Sequence, residues 1–381
     1  MQAQIIQYKK FSNSAKLLLD HLKQLPINKE NYTKLKEVLP NWQTFGKTGK
    51  LTIQTWSEKN QSFKKNYIKD TSTVINWGCS PTLLADTPIG FTPYFFLNKT
   101  FPKFSNKKKF FSLMQNLGMD AFLPECSTDW SYVRNNIIDY HSTWVARKVL
   151  NGSGGDGIVL LNPSNLHEAP EDIHTYPLFT KYIKKKTEYR VHILLDADGV
   201  AHTYYQQKKI LHSAMEELQN DAKAKLEAFA IRNLDHGWVY TSKFNDPVPV
   251  AVNQCVDRLC IMLKKKFKHL IFGAFDIIYN AEHKSAYLLE VNTAPGLSEN
   301  SANFYAQCLK FIEDQYIHGV LSNEYVSTDE NRKKYNLAWC FMVAANVVTG
   351  AQRLRHCTDP LSKSRRSPLS DGYTRCKTVM I

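Results

Sequence analysis

The sequence predicts an α+β fold in which most of the sheet is antiparallel. From residue 143 onward, short apolar runs typical of strands follow one another closely. Several of these runs are joined by hairpin-like turns such as "NGSGGD" and "DADG". Before that point, helical patterns and one buried strand indicate a small α/β unit that extends to about residue 105.

The elements follow from apolar spacing and from turn residues. Helices are predicted over 11–25, 29–39 and 106–117, and a buried strand over 72–82, "STVINWGCSPT". The later strands are "TWVARKVL", "GIVLL", "LFTKYI", "TEYRVHILLD", "VAHTYYQQ", "IFGAFDIIY" and "SAYLLEV". The chain thus divides into an N-terminal region (1–105), a main domain (106–318) and a basic tail (319–381), where the Ser/Arg/Pro-rich "LSKSRRSPLSDG" predicts partial disorder.

Composition narrows the class of protein. With 43% hydrophobic and 22% charged residues, the chain has enough apolar material for two or three packed domains. No apolar run reaches the roughly 18 residues that span a bilayer, since the longest is "LAWCFMVAANVV" over 337–348. The N-terminus also lacks the order of a signal peptide. A soluble cytoplasmic protein with no membrane partner is therefore expected.

Cysteine spacing and net charge bear on metal sites, disulfides and nucleic-acid partners. The eight cysteines form no C-x-x-C pair, so reduced thiols are expected and not a zinc cage or a disulfide framework. The formal charge of +14 is compatible with binding to nucleic acid. The basic residues are nevertheless spread along the chain, and a phosphate-handling enzyme accounts for the same total.

The segment "LLEVNTAPGL" (288–297) places an acid and an amide at the exit of an apolar strand. Side chains two positions apart share one face, so Glu290 and Asn292 point to the same side. A hairpin centred on His283 would put Asp276 of the preceding strand directly opposite Glu290, where like charges repel unless a positive group compensates them. Two alternatives follow: Mg²⁺ held by these oxygen ligands, or separate salt bridges from Lys or Arg.

Two segments earlier in the chain, residues 145–161 and 187–193, contribute basic side chains and glycines. "VARKVLNGSGGDGIVLL" (145–161) is either a loop that closes over phosphate oxygens, aided by Arg147 or Lys148, or a flexible turn. No Walker loop and no G-x-G-x-x-G fingerprint occurs. On "TEYRVHI" (187–193), Glu188, Arg190 and His192 share a face, and Arg190 either forms an ion pair with Glu188 or binds an anionic substrate.

These motifs, in this order, resemble the ATP-grasp superfamily of carboxylate-amine ligases, in the branch that adds glutamate or other amino acids to peptide and protein carboxylates. The resemblance covers about residues 72–315. It is carried by "INWG", "NKKKFFSLMQNLG", "VARKVLNGSGGDGI", "FTKYI", "EYRV", "IRNLDHG", "GAFDII" and "EVNTAPGL". It implies an ATP-grasp fold, with two α+β subdomains that grip ATP, preceded by a small α/β pre-ATP-grasp domain.

The resemblance also implies roles for individual residues. Lys107 matches the first ATP lysine, and Arg147 replaces the second lysine with a planar guanidinium. The other implied positions are Ser153, Gly154 and Gly155 over the phosphates; Lys181, Tyr182 and Ile183 at adenine; Glu188 at the ribose or substrate; Arg190, Arg232 and Asn233 at phosphate or the reacting carboxylate, with Lys208 or Lys209 as a further candidate; and Asp276, Glu290 and Asn292 on Mg²⁺, with Mn²⁺ as an alternative ion.

The implied reaction joins a carboxylate to an amine through an acyl phosphate, with ATP as the phosphoryl donor. The amine would belong to an amino acid, a peptide or a protein terminus. Two alternatives stay open: an ATP-grasp kinase of a small polyol or inositol phosphate, and a basic nucleic-acid-binding protein. Nucleic acid is not the expected partner, and the absence of a K-x-D-G string disfavours the nucleotidyl-transfer ligases.

Overall fold

The fold is known from a computed structural model. The residues that it describes are 3–8, 12–26, 29–30, 33–34, 51–57, 62–63, 73–79, 95–99, 101, 104, 106–151, 157–184, 187–195, 201–212, 237–267, 270–321, 352–356 and 378–379. The helices are α1 (Asn13–Gln24), α2 (Lys107–Asn116), α3 (Trp130–Tyr140), α4 (Val250–Lys266) and α5 (Glu299–Leu321). The strands are β1 (Ala3–Tyr8), β2 (Leu51–Ser57), β3 (Ser62–Phe63), β4 (Thr73–Trp77), β5 (Phe95–Leu97), β6 (Cys126–Ser127), β7 (Trp144–Arg147), β8 (Ile158–Leu161), β9 (Leu178–Lys181), β10 (Thr187–Leu195), β11 (Ala201–Leu211), β12 (Trp238–Thr241), β13 (Ile271–Asn280), β14 (Ser285–Asn292), β15 (Gln352–His356) and β16 (Thr378–Val379).

Three sheets organise these elements, and they confirm the α+β prediction. The N-terminal sheet has the order β3-β2-β1-β4-β5 and is parallel except for β3. A seven-stranded antiparallel sheet follows the order β14-β13-β10-β11-β15-β16, with β12 paired to β11. A four-stranded antiparallel sheet has the order β6-β9-β7-β8 and packs against α3.

The large sheet separates two hydrophobic cores. On β10, Tyr189, Val191 and Ile193 are buried in the cluster that contains α4. The opposite face carries Leu194, which belongs to a second cluster that includes residues of both α1 and α5. This alternation confirms the predicted division of β10, so the polar side chains at 188, 190 and 192 lie on the face turned away from α4.

The predicted elements match the structure closely in the second half of the chain. All seven strands predicted after residue 143 are present, and each of the two predicted hairpins joins a pair of antiparallel strands. The helices predicted over 11–25 and 106–117 are α1 and α2, whose first turns are capped by Ser12 and Asn106. Of the helix predicted over 29–39, the described residues 29–30 and 33–34 are helical.

Several other predictions concern residues that the structure describes only in part. In the tail, the end of α5 and the short strands β15 and β16 are described, whereas "LSKSRRSPLSDG" and the apolar run over 337–348 lie outside the described residues. Five cysteines in the described part of the chain are free thiols. Among the described helices, none is both long and apolar enough to cross a bilayer.

A buried pair of asparagines joins the N-terminal sheet to the large sheet. Asn98, which follows β5, has a positive φ of 56°, a conformation that Asn adopts more readily than most residues. Its amide donates to the Phe272 carbonyl (2.9 Å), and its oxygen accepts from the Phe272 N–H (3.0 Å). Asn76 in turn donates to the Asn98 carbonyl at 3.0 Å. These bonds fix the start of β13 against the N-terminal region.

We predict that Asn98→Ala lowers the free energy of unfolding by at least about 2 kcal/mol, because it leaves the buried N–H and C=O of Phe272 without their side-chain partner. Urea denaturation followed by circular dichroism measures the loss. Lys99→Ala, a change at the exposed neighbouring residue, is the control and should unfold like the wild type. Equal stability of the two variants would contradict the linking role of Asn98.

Candidate active site

The hairpin of β13 and β14 brings the two predicted acids together. Asp276 lies opposite Glu290, as predicted, but Ile277 lies opposite Leu288. Leu289 is therefore an extra residue on β14, a β-bulge that shifts the register by one. Because a shift of one residue moves a side chain to the other face of a strand, this bulge is what turns Glu290 toward Asp276.

Asp276 is held by the guanidinium of Arg190 on the neighbouring strand, so the acid that pairs with Arg190 is Asp276 and not Glu188, the partner that the sequence suggested. Arg190 of β10 lies directly opposite Asp276 and donates from Nε (2.8 Å) and Nη2 (2.7 Å) to the two carboxylate oxygens. Asn292 donates to the same carboxylate at 3.2 Å. Burial acts to raise the pKa of Asp276, but the charge and hydrogen bonds of Arg190 outweigh it and hold that pKa below its ordinary value. Asp276 is therefore an ionised carboxylate within a bidentate pair.

Glu290 pairs with a cation from a different part of the chain. Lys107, the first residue of α2, forms a salt bridge with it, and the Lys107 N–H donates to the Leu150 carbonyl beside the glycine loop at 3.0 Å. Both acids are thus salt-bridged, which is one of the two arrangements the sequence left open. The two partners, Arg190 and Lys107, are themselves among the predicted site residues.

Arg147 is the cation of the site that has the least compensation. It lies at the end of β7, and its Nε is buried without a hydrogen-bond partner among the described residues. Burial lowers the pKa of Arg147, and the negative charge of nearby Glu290 acts in the opposite direction. A buried donor of this kind, near the salt-bridged carboxylate of Glu290, is suited to receive an anion from solution.

A second network lies beside the first on the same face of the sheet. Glu188 is buried and accepts from Lys209 Nζ at 2.6 Å and from the Tyr240 hydroxyl at 3.3 Å. Lys209 is therefore the member of the predicted Lys208/Lys209 alternative that belongs to the site. Lys208 pairs instead with the exposed Asp246. Tyr240 was not identified as a site residue from the sequence.

His192, the third polar residue on this face of β10, serves the core. Its Nε2 lies 2.8 Å from Gln207 Oε1, and its Nδ1 lies 3.3 Å from the Tyr305 hydroxyl. Burial and the positive charge of Arg190 lower the pKa of His192 to about 3. The ring is therefore neutral near pH 7 and adds no charge to the site.

Glycine is required where β13 passes β14. A Cβ on Gly273 would lie 2.7 Å from the Asn292 carbonyl oxygen, closer than backbone and side chain can approach. The Gly273 carbonyl also accepts from the Tyr305 hydroxyl at 2.6 Å. The "GAFDII" glycine thus permits the close strand contact that holds Asn292 beside Asp276.

The segment predicted at adenine, Lys181 to Ile183, is called the hinge here, and it lines a cavity of about 500 Å³ at the far end of β13. Lys181, Tyr182 and Ile183 share this cavity with residues of the β13–β14 turn. The Lys181 N–H donates to the Glu125 carbonyl, and the Tyr182 N–H to the Thr143 carbonyl, each at 2.8 Å. These two N–H groups are engaged within the protein, so a ligand in the cavity would depend on other groups of the hinge.

Five predicted site residues lie outside the described residues: Ser153, Gly154, Gly155, Arg232 and Asn233. Their implied roles stay predictions. The hairpin that carries the glycines is nevertheless present, because β7 and β8 pair and the Lys148 N–H donates to the Gly157 carbonyl at 2.9 Å. The glycine loop therefore begins directly after Arg147.

The donor set of Asp276, Glu290 and Asn292 fits magnesium in chemistry. Mg²⁺ takes hard oxygen ligands, and one or two carboxylates suffice when substrate phosphates complete the shell. In the part of the chain that the structure describes, no group of three or more His, Cys, Asp and Glu side chains gathers to hold a metal. Two carboxylates and one amide would therefore be a partial ligand set that substrate phosphates must complete.

Comparisons with known proteins give similar structures but no sequence relative. No protein-family model matches the chain, and no curated protein matches it. The ATP-grasp ligase PsnB complexed with a minimal precursor is 11% identical, with a TM-score of 0.48; the match covers 81% of this chain and 98% of that one. A RiPP-associated ATP-grasp ligase from Chryseobacterium gregarium is 16% identical, with a TM-score of 0.45 and coverage of 86% and 98%.

A third similar structure is D-alanyl-alanine synthetase A from Vibrio cholerae, which is 12% identical, with a TM-score of 0.47 and coverage of 84% of this chain and 98% of that one. The first two are ATP-grasp ligases, the superfamily that the ordered motifs resemble. At these identities and TM-scores, the assignment of residues rests on the geometry of the site itself.

We predict that His192 makes the protein sensitive to mild acid. In the unfolded chain this imidazole has a pKa near 6.5, whereas in the native state its pKa is about 3. The free energy of unfolding is therefore fully retained above pH 6.5 and decreases below it, because only the unfolded chain binds the proton there. Between pH 7 and pH 5 the loss should be about 2 kcal/mol in the free energy of unfolding. Urea titrations at both pH values should show it in the wild type and in His167→Gln, an exposed control, but not in His192→Gln. A similar loss in His192→Gln would contradict the assignment.

Proposed function

We propose that this protein is an ATP-dependent carboxylate-amine ligase that forms an amide bond through an acyl phosphate. One observation carries the proposal: cations from α2, β7 and β10 meet around the acids of one β13–β14 ladder position. A structural salt bridge needs one cation for each acid. The additional Arg147, which is partly buried beside the glycine loop, gives the site a cation for an incoming anion.

The cations of the site suit phosphoryl transfer. This reaction depends mainly on positioning and on neutralising charge, with little covalent chemistry from the protein. Lys107 and Arg147 both lie at the base of the glycine loop, one through its backbone bond to Leu150 and the other as the last residue of β7. We assign these two residues to the phosphates of ATP.

The acids complete this assignment. Asp276, Glu290 and Asn292 would hold Mg²⁺, which when bound neutralises phosphate charge and polarises the transferred group. Release of Glu290 from Lys107 would free that ammonium for a phosphate oxygen. If Asp276 likewise moves away from Arg190, the guanidinium of Arg190 becomes available to bind the substrate carboxylate. The pairs seen in the structure thus neutralise the two acids, and they exchange partners when the substrates bind.

The cavity beside the hinge is the proposed base-binding region. It lies at the end of β13 remote from Asp276, and it contains Lys181, Tyr182 and Ile183. A nucleotide that extends along β13 would reach both the cavity and the two acids. The amine acceptor is proposed to be an amino acid or a peptide.

A direct test supplies ATP, Mg²⁺, amino acids and candidate peptides, and identifies products by mass spectrometry. The peptides belong in the panel because the similar structure from C. gregarium holds ADP with a leader and core peptide. Hydroxylamine added in place of the amine should trap an acyl phosphate as a hydroxamate. A stable phosphoester product would instead indicate a kinase and contradict the proposal.

We predict that Glu290→Gln lowers ADP release by about 100-fold or more, because it replaces a charged metal ligand with a neutral isostere. A coupled assay of ADP formation measures the loss, and circular dichroism checks that the variant is folded. Glu171→Gln, at an exposed position, is the matched control and should retain wild-type activity. Unchanged ADP release from folded Glu290→Gln would refute the role of Glu290.

A further inference from the structure

Tyr240 is the side chain at which the two charged networks of the site meet. It lies on β12, opposite Lys209 of β11. Its ring centroid is 4.2 Å from the Arg190 Cζ and 4.9 Å from the Lys209 Nζ. Its hydroxyl donates to Glu188, which also pairs with Lys209. One ring thus contacts the cation of each network.

The ring gives Arg190 an anchor that does not depend on Asp276. A guanidinium close to an aromatic ring is attracted to the negative face of its π-system, and the attraction grows when both groups are shielded from water. Arg190 and Tyr240 are each partly buried. If Asp276 exchanges its partner, the attraction of Tyr240 for Arg190 persists.

The guanidinium also retains a donor for a further anion. Asp276 engages Nε and Nη2 of Arg190, whereas Nη1 lies toward Gly296, where an added Cβ would be 3.8 Å away. A guanidinium held by its face can still present its edge to a carboxylate in the bidentate geometry that arginine favours. Gly296 is exposed and has no side chain, so residue 296 does not cover Nη1.

Tyr240 contributes to this site and not to the hydrophobic cores. It belongs to none of the three buried hydrophobic clusters of the described residues. Burial, together with the negative charge of Asp276, raises the pKa of Tyr240 well above its ordinary value. The phenol therefore stays protonated and donates to Glu188, so ring and hydroxyl act on different partners.

We infer that Tyr240 is a positioning residue: its ring keeps Arg190 in the site when Asp276 changes partner, so that Arg190 can bind the substrate carboxylate. The inference deepens the proposed ligase function and rests on it. Tyr240→Phe keeps the ring and removes the hydroxyl, whereas Tyr240→Leu removes both. Comparing these variants separates the two contributions.

The first measurement follows Arg190 without any substrate. In protein labelled with ¹⁵N-arginine, the Nε–Hε resonance of Arg190 is assigned by its loss in Arg190→Lys. The ring current of Tyr240 should displace this resonance in the wild type and in Tyr240→Phe, including after Mg²⁺ and ADP are added. In Tyr240→Leu the displacement should disappear. An unchanged resonance in Tyr240→Leu would overturn the inference.

The second measurement uses the carboxylate that the wild type activates in the product screen. Tyr240→Leu should raise the KM for that carboxylate about tenfold or more and leave the KM for ATP unchanged. Tyr240→Phe should stay within about threefold of the wild type in both. Equal increases in both KM values, or an equal loss in Tyr240→Phe, would show a general structural role and overturn the inference.

The two measurements fail in different ways. If no carboxylate supports ADP release by the wild type, the proposed function is refuted, and the Arg190 resonance alone decides whether Tyr240 positions the guanidinium. Should Tyr240→Leu not fold, Tyr240→Met removes the ring with an unbranched and adaptable side chain. The same resonance and KM comparison then apply to it.

Discussion

The site depends on one electrostatic constraint, which is that two carboxylates occupy facing positions of a single β-ladder. Asp276 and Glu290 repel one another unless each is compensated, and each is compensated by a cation from a different element. This requirement ties β10 and α2 to the β13–β14 hairpin. The hairpin therefore places the two acids of the site, and these acids require the cations that surround them.

Ion pairs of this kind are weak evidence for stability alone. Removing charged groups from water costs several kcal/mol for each ion, and a well-packed apolar pair of similar volume often serves the fold as well. The Arg190–Asp276 pair has bidentate geometry and an added bond from Asn292, and both of its side chains are largely shielded from solvent. The proposed exchange of partners with a charged substrate accounts for the presence of such a costly pair.

The sequence predicted several of the side-chain positions around Asp276 and Glu290. Period-two alternation placed Glu188 and Arg190 on one face, and the pairing of Asp276 with Glu290 was predicted from a turn centred on His283. The pairing is right. Near the turn, however, the two strands pair one residue away from the predicted register, and the bulge at Leu289 restores the predicted pairing. Bulges leave no pattern in a single sequence, so this compensation was not predictable.

Other features were missed for physical reasons that differ. α5 is buried against more than one neighbour, so its apolar residues do not form a single stripe. Tyr240 reaches Arg190 across an intervening strand, and Asn98 joins two sheets over 174 residues of sequence. Contacts between distant segments arise from tertiary packing, which local periodicity does not encode.

The affinity for ATP with and without a divalent cation tests the central claim most directly. If two carboxylates face the phosphate region, ATP should bind poorly in EDTA. When Lys107 or Arg190 moves to the ligand, the carboxylate that it had paired with is left uncompensated and repels the phosphates. Isothermal titration calorimetry should show that ATP binds at least about tenfold more tightly with excess Mg²⁺ than in EDTA. Equal affinity under the two conditions would contradict the account, since the acids would then not share a site with the nucleotide.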